Sequence, residues 1–204
     1  MTLVIEPFDS GRHDPETVAR LIYEADPALT SLVMGSGEKA MPRFRILMGI
    51  ETSPWASKRI TVATHQGEVV GVIVGATGKE KTEADRRAAE WGKALGIGWI
   101  LGSICIGMKI AKTVTRDVAD DEYYPLAIAV SDHVRGQGVG SQLMKWILDR
   151  HAKVVIDVNI EKADARRFYE RHGFESVGEN TVKHKGKRIG NLSMRNIRRA
   201  DGRD

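Results

Sequence analysis

A glycine-rich loop lies between an apolar run and an amphipathic run in the second half of the chain. Residues 135–140 read Arg-Gly-Gln-Gly-Val-Gly. Because the first amides of a helix have no intrahelical acceptor, and glycines let the backbone approach a ligand closely, such a loop can bind phosphate oxygens. The amides from Gln137 to Ser141 are expected to point at one anion, and Arg135 adds a full positive charge. The loop therefore predicts a pyrophosphate site.

The spacing of the glycines separates this loop from two other phosphate-binding loops. A Walker A loop ends in Gly-Lys-Ser/Thr, whereas this one ends in Gly140-Ser141-Gln142. A dinucleotide fingerprint has the spacing G-x-G-x-x-G, whereas the glycines here occupy positions 136, 138 and 140. For the loop alone, an ordinary tight turn between a strand and a helix remains the alternative.

Four elements must position the loop. Residues 126–130 form a continuous apolar run, which is typical of a strand buried on both faces. Residues 139–151 carry apolar side chains at helical spacing, and residues 154–158 are a second buried strand. A further helix is expected over residues 163–172, because Gly173 is a preferred stop residue.

The other elements are predicted with the same rules. A strand is expected at residues 3–5, helices from Asp14-Pro15 and over 38–48, strands at 60–64 and 69–74, and a hairpin joining 177–183 to 189–195. Residues 79–122 form an insertion whose first part is charged and helix-prone, and residues 196–204 a polar tail. With 204 residues, the chain is expected to be one domain over 1–204.

Composition narrows the class of ligand. The net charge is +4, with charges of both signs spread along most of the chain, which argues against a nucleic-acid partner and suits an anionic small molecule. Cys105 is the single cysteine, so no intrachain disulfide can form, and the six histidines show no metal-site spacing. We see no signal peptide and expect a cytoplasmic protein.

One uncharged segment, residues 96–108, is a candidate membrane element. Lys93 and Lys109 leave about fifteen uncharged residues between them, fewer than the ~20 that span a bilayer. Its glycines also weaken it as a helix. A lid over the site or a homodimer contact is the hypothesis, and peripheral membrane association is the alternative.

Two motifs together resemble a known family. Arg135, Gly138 and Gly140 match the pattern R-x-x-G-x-G, and residues 165–174 match A-x-x-F-Y-x-x-x-G-F. Over residues 124–174 the chain resembles the GNAT superfamily of N-acetyltransferases. The resemblance implies an α/β (α+β) fold with a mixed, mostly antiparallel sheet flanked by helices, and we expect a helical insertion between strands 3 and 4. It also implies an enzyme that uses acetyl-CoA as co-substrate and needs no metal.

The predicted site combines the loop with positions that match the family. The cofactor-binding residues are Ile128, Ala129, Val130, Arg135, Gly136, Gln137, Gly138, Val139, Gly140, Ser141 and Asn159. By resemblance, Tyr169 is the general acid that protonates the departing thiolate. Lys162 stands where many family members carry Asn, and Asn159 is expected to take over a polar contact.

The general base is less defined. Asp120, Asp121, Glu122 and Glu51 are the candidates, of which Glu122 is retained, and each is equally read as a surface carboxylate.

The predicted function is transfer of acetyl to a primary amine by direct attack on the thioester. A small amine, a protein lysine, an N-terminus and an antibiotic all remain open as acceptor, so the partner is a small-molecule or peptide amine. The alternative is a sensor domain that binds acyl-CoA but transfers weakly.

Overall fold

A seven-stranded sheet lies at the centre of the residues that the computed structural model describes, which are 2–96, 99, 113, 117–184 and 186–197. Its strands are β1 (Val4–Pro7), β2 (Ile60–His65), β3 (Glu68–Thr77), β4 (Tyr123–Val130), β5 (Lys153–Asn159), β6 (Glu175–His184) and β7 (Lys187–Ile197). The order is β1-β2-β3-β4-β5-β7-β6, and every neighbouring pair is antiparallel except β4 with β5. The predicted mixed, mostly antiparallel sheet is confirmed.

Helices cover both faces of this sheet. Their bounds are α1 (Pro15–Ala25), α2 (Pro27–Met34), α3 (Gly37–Met48), α4 (Gly78–Arg86), α5 (Ala88–Ala94), α6 (Val139–Arg150) and α7 (Ala163–Arg171). Helix α1 begins where the sequence predicts, because the Asp14 carboxylate accepts the amides of Glu16 and Thr17 at 3.1 and 2.9 Å. Helices α4 and α5 confirm a helical insertion between the third and fourth strands.

The core lies in two layers, one on each side of the sheet. Helices α1 and α3 bury Val18, Leu21 and Phe44 against strands β2 and β3. Helix α6 buries Leu143 and Ile147 on the other face, together with side chains of β5 and β7. Removal of this apolar surface from water stabilises the arrangement and holds the start of α6 at one edge of β4.

Helix α2 is an element that the spacing of apolar residues does not predict. Its sequence is apolar on most sides, so it has no clear helical period. The local signal for it is Asp26-Pro27, in which Asp26 accepts the amide of Leu29 at 3.2 Å and Pro27 takes the first helical position.

The polar tail begins later than residue 196, so that expectation was wrong. Strand β7 continues to Ile197, and Asn196 pairs with Val154 of β5. The Asn196 side chain is buried, and its amide donates to the carbonyls of His172 and Gly173, at 2.9 and 3.0 Å. Polarity alone therefore misplaces the end of the sheet.

Other predictions fall where the structure gives no description. Of the apolar segment 96–108, only Gly96 and Trp99 lie among the described residues, and Cys105 lies outside them, as do residues 198–204. Within the described ranges, no helix combines the length and the apolar character needed to cross a membrane.

Candidate active site

A groove of about 2140 Å³ opens where β4 and β5 separate. Tyr123 of β4 and Val154 of β5 form the parallel register pair between the two strands, and both lie at the start of their strands. Beyond it, the edge of β4 that faces β5 has no strand partner among the described residues. Ile128, Ala129 and Val130 lie on this stretch and line the groove. The backbone groups of this stretch that point away from β3 can therefore bond to an extended, amide-containing ligand.

The glycine-rich loop forms one end of the groove. Gly136 and Gly138 have φ values of 77° and 82°, in the left-handed region that favours glycine. Helix α6 starts directly after them, and its first internal bond runs from the Gln142 amide to the Gly138 carbonyl at 3.1 Å. The amides of Val139, Gly140 and Ser141 have no acceptor among the described residues, and all three residues line the groove. Unpaired amides at the start of a helix are a geometry that can bind an anion.

The loop differs from the prediction at Gln137. Its amide donates to the Val134 carbonyl at 3.3 Å, its side chain donates to the His133 carbonyl at 3.3 Å, and the residue does not line the groove. The donors that face the groove therefore begin at the helix and not before it. Sequence reasoning missed this because the short 3-10 helix Asp132–Val134, which supplies both acceptors, carries no strong local signal.

Arg135 lies beside these donors at the rim. Its guanidinium forms an ion pair with Asp132 at 2.7 Å and donates to the Val130 carbonyl at 3.2 Å. The side chain is 58% exposed, so the pair itself stabilises little. The bond to Val130 orients the positive charge along the end of β4, next to the amides of α6.

Helix α7 covers the groove with Phe168 and Tyr169. A Cβ placed on Gly140 would lie 3.6 Å from the Phe168 ring, so the two helices approach closely at the loop. The Tyr169 ring contacts Phe168 and Phe174, with centroids 5.2 and 5.7 Å apart. Burial raises the pKa of Tyr169 to about 12, which keeps its hydroxyl protonated at neutral pH.

Tyr124 and Asp157 form a polar pair that the sequence prediction did not include. The Tyr124 hydroxyl donates to Asp157 Oδ2 at 2.6 Å, and both residues line the groove between β4 and β5. Lys81 of α4 lies 5.8 Å from the centre of the Tyr124 ring and 2.8 Å from the Asp85 carboxylate. Burial, and then the charge of Asp157, raises the pKa of Tyr124 well above its ordinary value. The sequence carried one signal for this pair, which is the carboxylate of Asp157 within the apolar run of β5.

The predicted base candidates lie away from this pair. Glu122 is buried, forms an ion pair with Arg195 at 3.1 Å and accepts the Ala119 amide at 2.9 Å, and it does not line the groove. The candidates Asp120, Asp121 and Glu51 also lie outside the lining; Asp121 pairs with Lys153 at 2.7 Å, and Glu51 with Lys58 at 3.7 Å.

Asn159 and Lys162 join the end of β5 to the turn between α1 and α2. The Asn159 amide donates to Asp26 at 3.1 Å and its oxygen accepts the Glu161 amide at 3.0 Å. Lys162 donates to the Ala25 carbonyl at 2.6 Å. Both residues line the groove, so they shape its wall through the α1–α2 turn. In the part of the chain that is described, no group of three metal-ligating side chains comes together.

Comparisons with known proteins agree with this geometry. The sequence model of a family described as an acetyltransferase (GNAT) domain matches residues 56–176, more than half of the chain. Over 55 residues the chain is 36% identical to the 5-NmdU N-acetyltransferase of Pseudomonas phage PaMx11. That match covers 26% of this chain and 39% of the phage protein, which is less than half of its length.

Solved structures share the fold across almost the whole chain. An N-acetyltransferase from Staphylococcus aureus has a TM-score of 0.64 at 21% identity, covering 93% of this chain and 99% of that one. A histone acetyltransferase and related acetyltransferase from Corynebacterium glutamicum has a TM-score of 0.60 at 20% identity, covering 97% of each chain. At these identities the likeness shows the fold.

Proposed function

This chain belongs to the GNAT acetyltransferase family, and we propose that it transfers an acetyl group from acetyl-CoA to a primary amine. The observation that carries the proposal is the groove itself. Unpaired amides at the start of α6, the open edge of β4 and the protonated Tyr169 all line one cavity.

The described residues suit acetyl-CoA at two points. The amides of Val139, Gly140 and Ser141 suit the pyrophosphate, because they are unpaired donors at the positive end of a helix. The edge of β4 suits the pantetheine arm, whose amides can take the place of a paired strand. Acetyl-CoA supplies an activated acyl thioester, and the protein supplies binding, orientation and proton transfer.

In the proposed reaction, the amine nitrogen forms a bond to the acetyl carbon and the bond between that carbon and sulfur breaks. Backbone amides at the edge of β4 stabilise the oxyanion that forms on the carbonyl oxygen. Tyr169 donates its proton to the leaving thiolate and is reprotonated from water. The amine loses one proton, so the products are the N-acetyl amine and the free thiol of CoA.

We assign the acceptance of that proton to Asp157 instead of Glu122. Asp157 lines the groove and is held by Tyr124 at 2.6 Å. Glu122 already neutralises Arg195 and lies outside the lining. A carboxylate must lie within reach of the amine to act as its base, and geometry decides between the two.

The proposal is tested with a panel of amine acceptors, chosen from the classes that the sequence leaves open. It includes small amines, a lysine peptide, a peptide with a free N-terminus and an aminoglycoside. It also includes 5-NmdU, which the phage relative is named for.

The test is release of free thiol from acetyl-CoA in the presence of each amine, with mass spectrometry of the acetylated product. We expect turnover with at least one amine, and a loss of about 100-fold in kcat for Tyr169→Phe with little change in acetyl-CoA binding. Tight acetyl-CoA binding without thiol release on any acceptor would overturn the proposal and favour the sensor.

A further inference from the structure

Three tryptophans line the groove on the side away from the glycine-rich loop. Trp55, Trp91 and Trp99 lie in a row, with ring centroids 6.1 Å apart for the first pair and 6.0 Å for the second. Phe44 supports the first of them from the core, at 5.9 Å. We call these three residues the tryptophan wall. Each is half-buried, so part of its surface is left facing the cavity.

Two of the three indole N–H donors of the tryptophan wall are bonded within the protein. The indole nitrogen of Trp91 donates to the Ala84 carbonyl at 3.2 Å, and that of Trp99 donates to the Val33 carbonyl at 2.7 Å. Because these donors are already bonded within the protein, the rings offer the groove mainly their apolar and π surfaces. Such a surface binds another flat apolar group better than it binds a polar chain.

The wall is connected to the polar pair of the proposed reaction. Trp91 is bonded to Ala84, which lies one turn along α4 from Lys81. Lys81 lies 5.8 Å from the ring of Tyr124, and Tyr124 is bonded to Asp157. The wall and Asp157 also line the same groove, so a ligand in that groove has both within one cavity.

Charge complements this shape. Asp157 and Asp26 bring carboxylates to the groove, whereas the Asp85 carboxylate is paired with Lys81 at 2.8 Å. Carboxylates attract an ammonium group, and aromatic faces attract it as well.

We infer that the acceptor is a primary amine joined by a short linker to a flat aromatic ring, with the ring on the tryptophan wall and the nitrogen at Asp157. This inference rests on the proposed acetyl transfer and names its substrate class. A linear alkylamine of equal length buries less apolar surface against the indole faces and makes no ring–ring contact, so it binds more weakly.

The test compares phenethylamine with n-hexylamine, which carries the same amine without a ring. Calorimetry in the presence of CoA measures binding, and thiol release from acetyl-CoA measures kcat/KM. We expect both to favour phenethylamine by about 30-fold, the scale expected from burying one ring face.

Substitutions of Trp91 test whether the tryptophan wall causes the preference for phenethylamine. Trp91→Leu is expected to reduce the preference for the ring by about 10-fold, whereas Trp91→Phe, which keeps an aromatic face, retains most of it. Trp146→Leu is the matched control, because Trp146 lies on α6 outside the groove and stacks with Arg150 at 4.2 Å. Circular dichroism of each variant verifies the fold, and Trp55→Leu replaces Trp91→Leu if the latter does not fold.

The outcomes separate this inference from the proposed function. Turnover of n-hexylamine as fast as phenethylamine, or a preference unchanged in Trp91→Leu and Trp55→Leu, overturns the inference and leaves acetyl transfer standing. Binding of phenethylamine that depends on the wall, with no thiol release on any amine of the panel, supports the ring site and overturns the transfer. Absence of any phenethylamine binding overturns the inference.

Discussion

The Tyr124 hydroxyl donates a 2.6 Å hydrogen bond to Asp157, and this bond joins β4 to β5 beyond the point at which their backbones pair. The separation of the two strands opens the groove, and the bond spans the gap with side chains. The pair therefore holds a carboxylate where β4 and β5 separate and the groove opens. It also explains how strand β5, otherwise apolar, tolerates Asp157 near the core.

The first prediction follows from this pair. Asp157→Asn keeps the shape of the side chain and removes the negative charge, so we expect kcat to fall about 100-fold while the KM for acetyl-CoA is unchanged. Tyr124→Phe leaves the carboxylate but removes the bond that orients it, and is expected to lower kcat about 10-fold. Steady-state kinetics measure both.

Glu122→Gln is the control for the base. It removes a buried charge that pairs with Arg195, so we expect a lower melting temperature with kcat retained. If Glu122→Gln lost as much activity as Asp157→Asn, the assignment of the base to Asp157 over Glu122 would be contradicted.

The second prediction concerns the loop. Gly138→Ala has room for the added methyl but forces a side chain into a φ of 82° at the start of α6. We expect the KM for acetyl-CoA to rise about 10-fold, because relief of this strain shifts the amides that bind the anion. Gly67→Ala is a matched control, since Gly67 has a φ of 84° and equal space in the β2–β3 turn, outside the groove.

Both glycine variants should lose a similar amount of stability, about 1 kcal/mol, from the same backbone strain. Only Gly138→Ala should change the KM. An equal KM in the two variants would mean that the loop does not bind the pyrophosphate.

Much of this site could be predicted from sequence because its signals are local. The glycines and the start of α6 follow from spacing and helix-end chemistry, and the sheet elements follow from apolar runs. The pairing of Tyr124 with Asp157 could not be predicted, because it depends on how far β4 and β5 diverge, which no local pattern records. The tryptophan wall could not be predicted for the same reason, since tertiary packing brings Trp55, in the segment after α3, against Trp91 of α5. Glu122 and Asn159 were predicted as site residues because they are polar and lie at the ends of β4 and β5, but their side chains are bonded to Arg195 and Asp26.

The third prediction concerns Asn196, which closes the end of α7. Its amide donates to the carbonyls of His172 and Gly173, which follow the last turn of that helix. Asn196→Ala removes the donor to both carbonyls and is expected to cost about 1 kcal/mol in the free energy of unfolding. Chemical denaturation measures the loss. Asn180→Ala in β6 is the control, because its side chain makes no hydrogen bond within the described ranges, and an equal loss there would contradict the assignment.

The fourth prediction concerns pH and His151. The His151 ring stacks on Tyr123, with centroids 3.9 Å apart and planes at 7°, and burial lowers its pKa below the usual value. The folded protein therefore binds a proton at this position less readily than the unfolded chain, so the contribution of His151 to stability is present above its unfolded pKa of about 6.5 and is lost as the pH falls below it. His151→Phe keeps an aromatic ring on Tyr123 but cannot be protonated. Thermal denaturation at about pH 7.5 and about pH 5.5 should show a smaller decrease in melting temperature for His151→Phe than for the native protein. His65→Phe, at the end of β2 where no ring among the described residues stacks on it, should retain the native decrease. An equal decrease in His151→Phe and the native protein would mean that His151 does not sense this pH range.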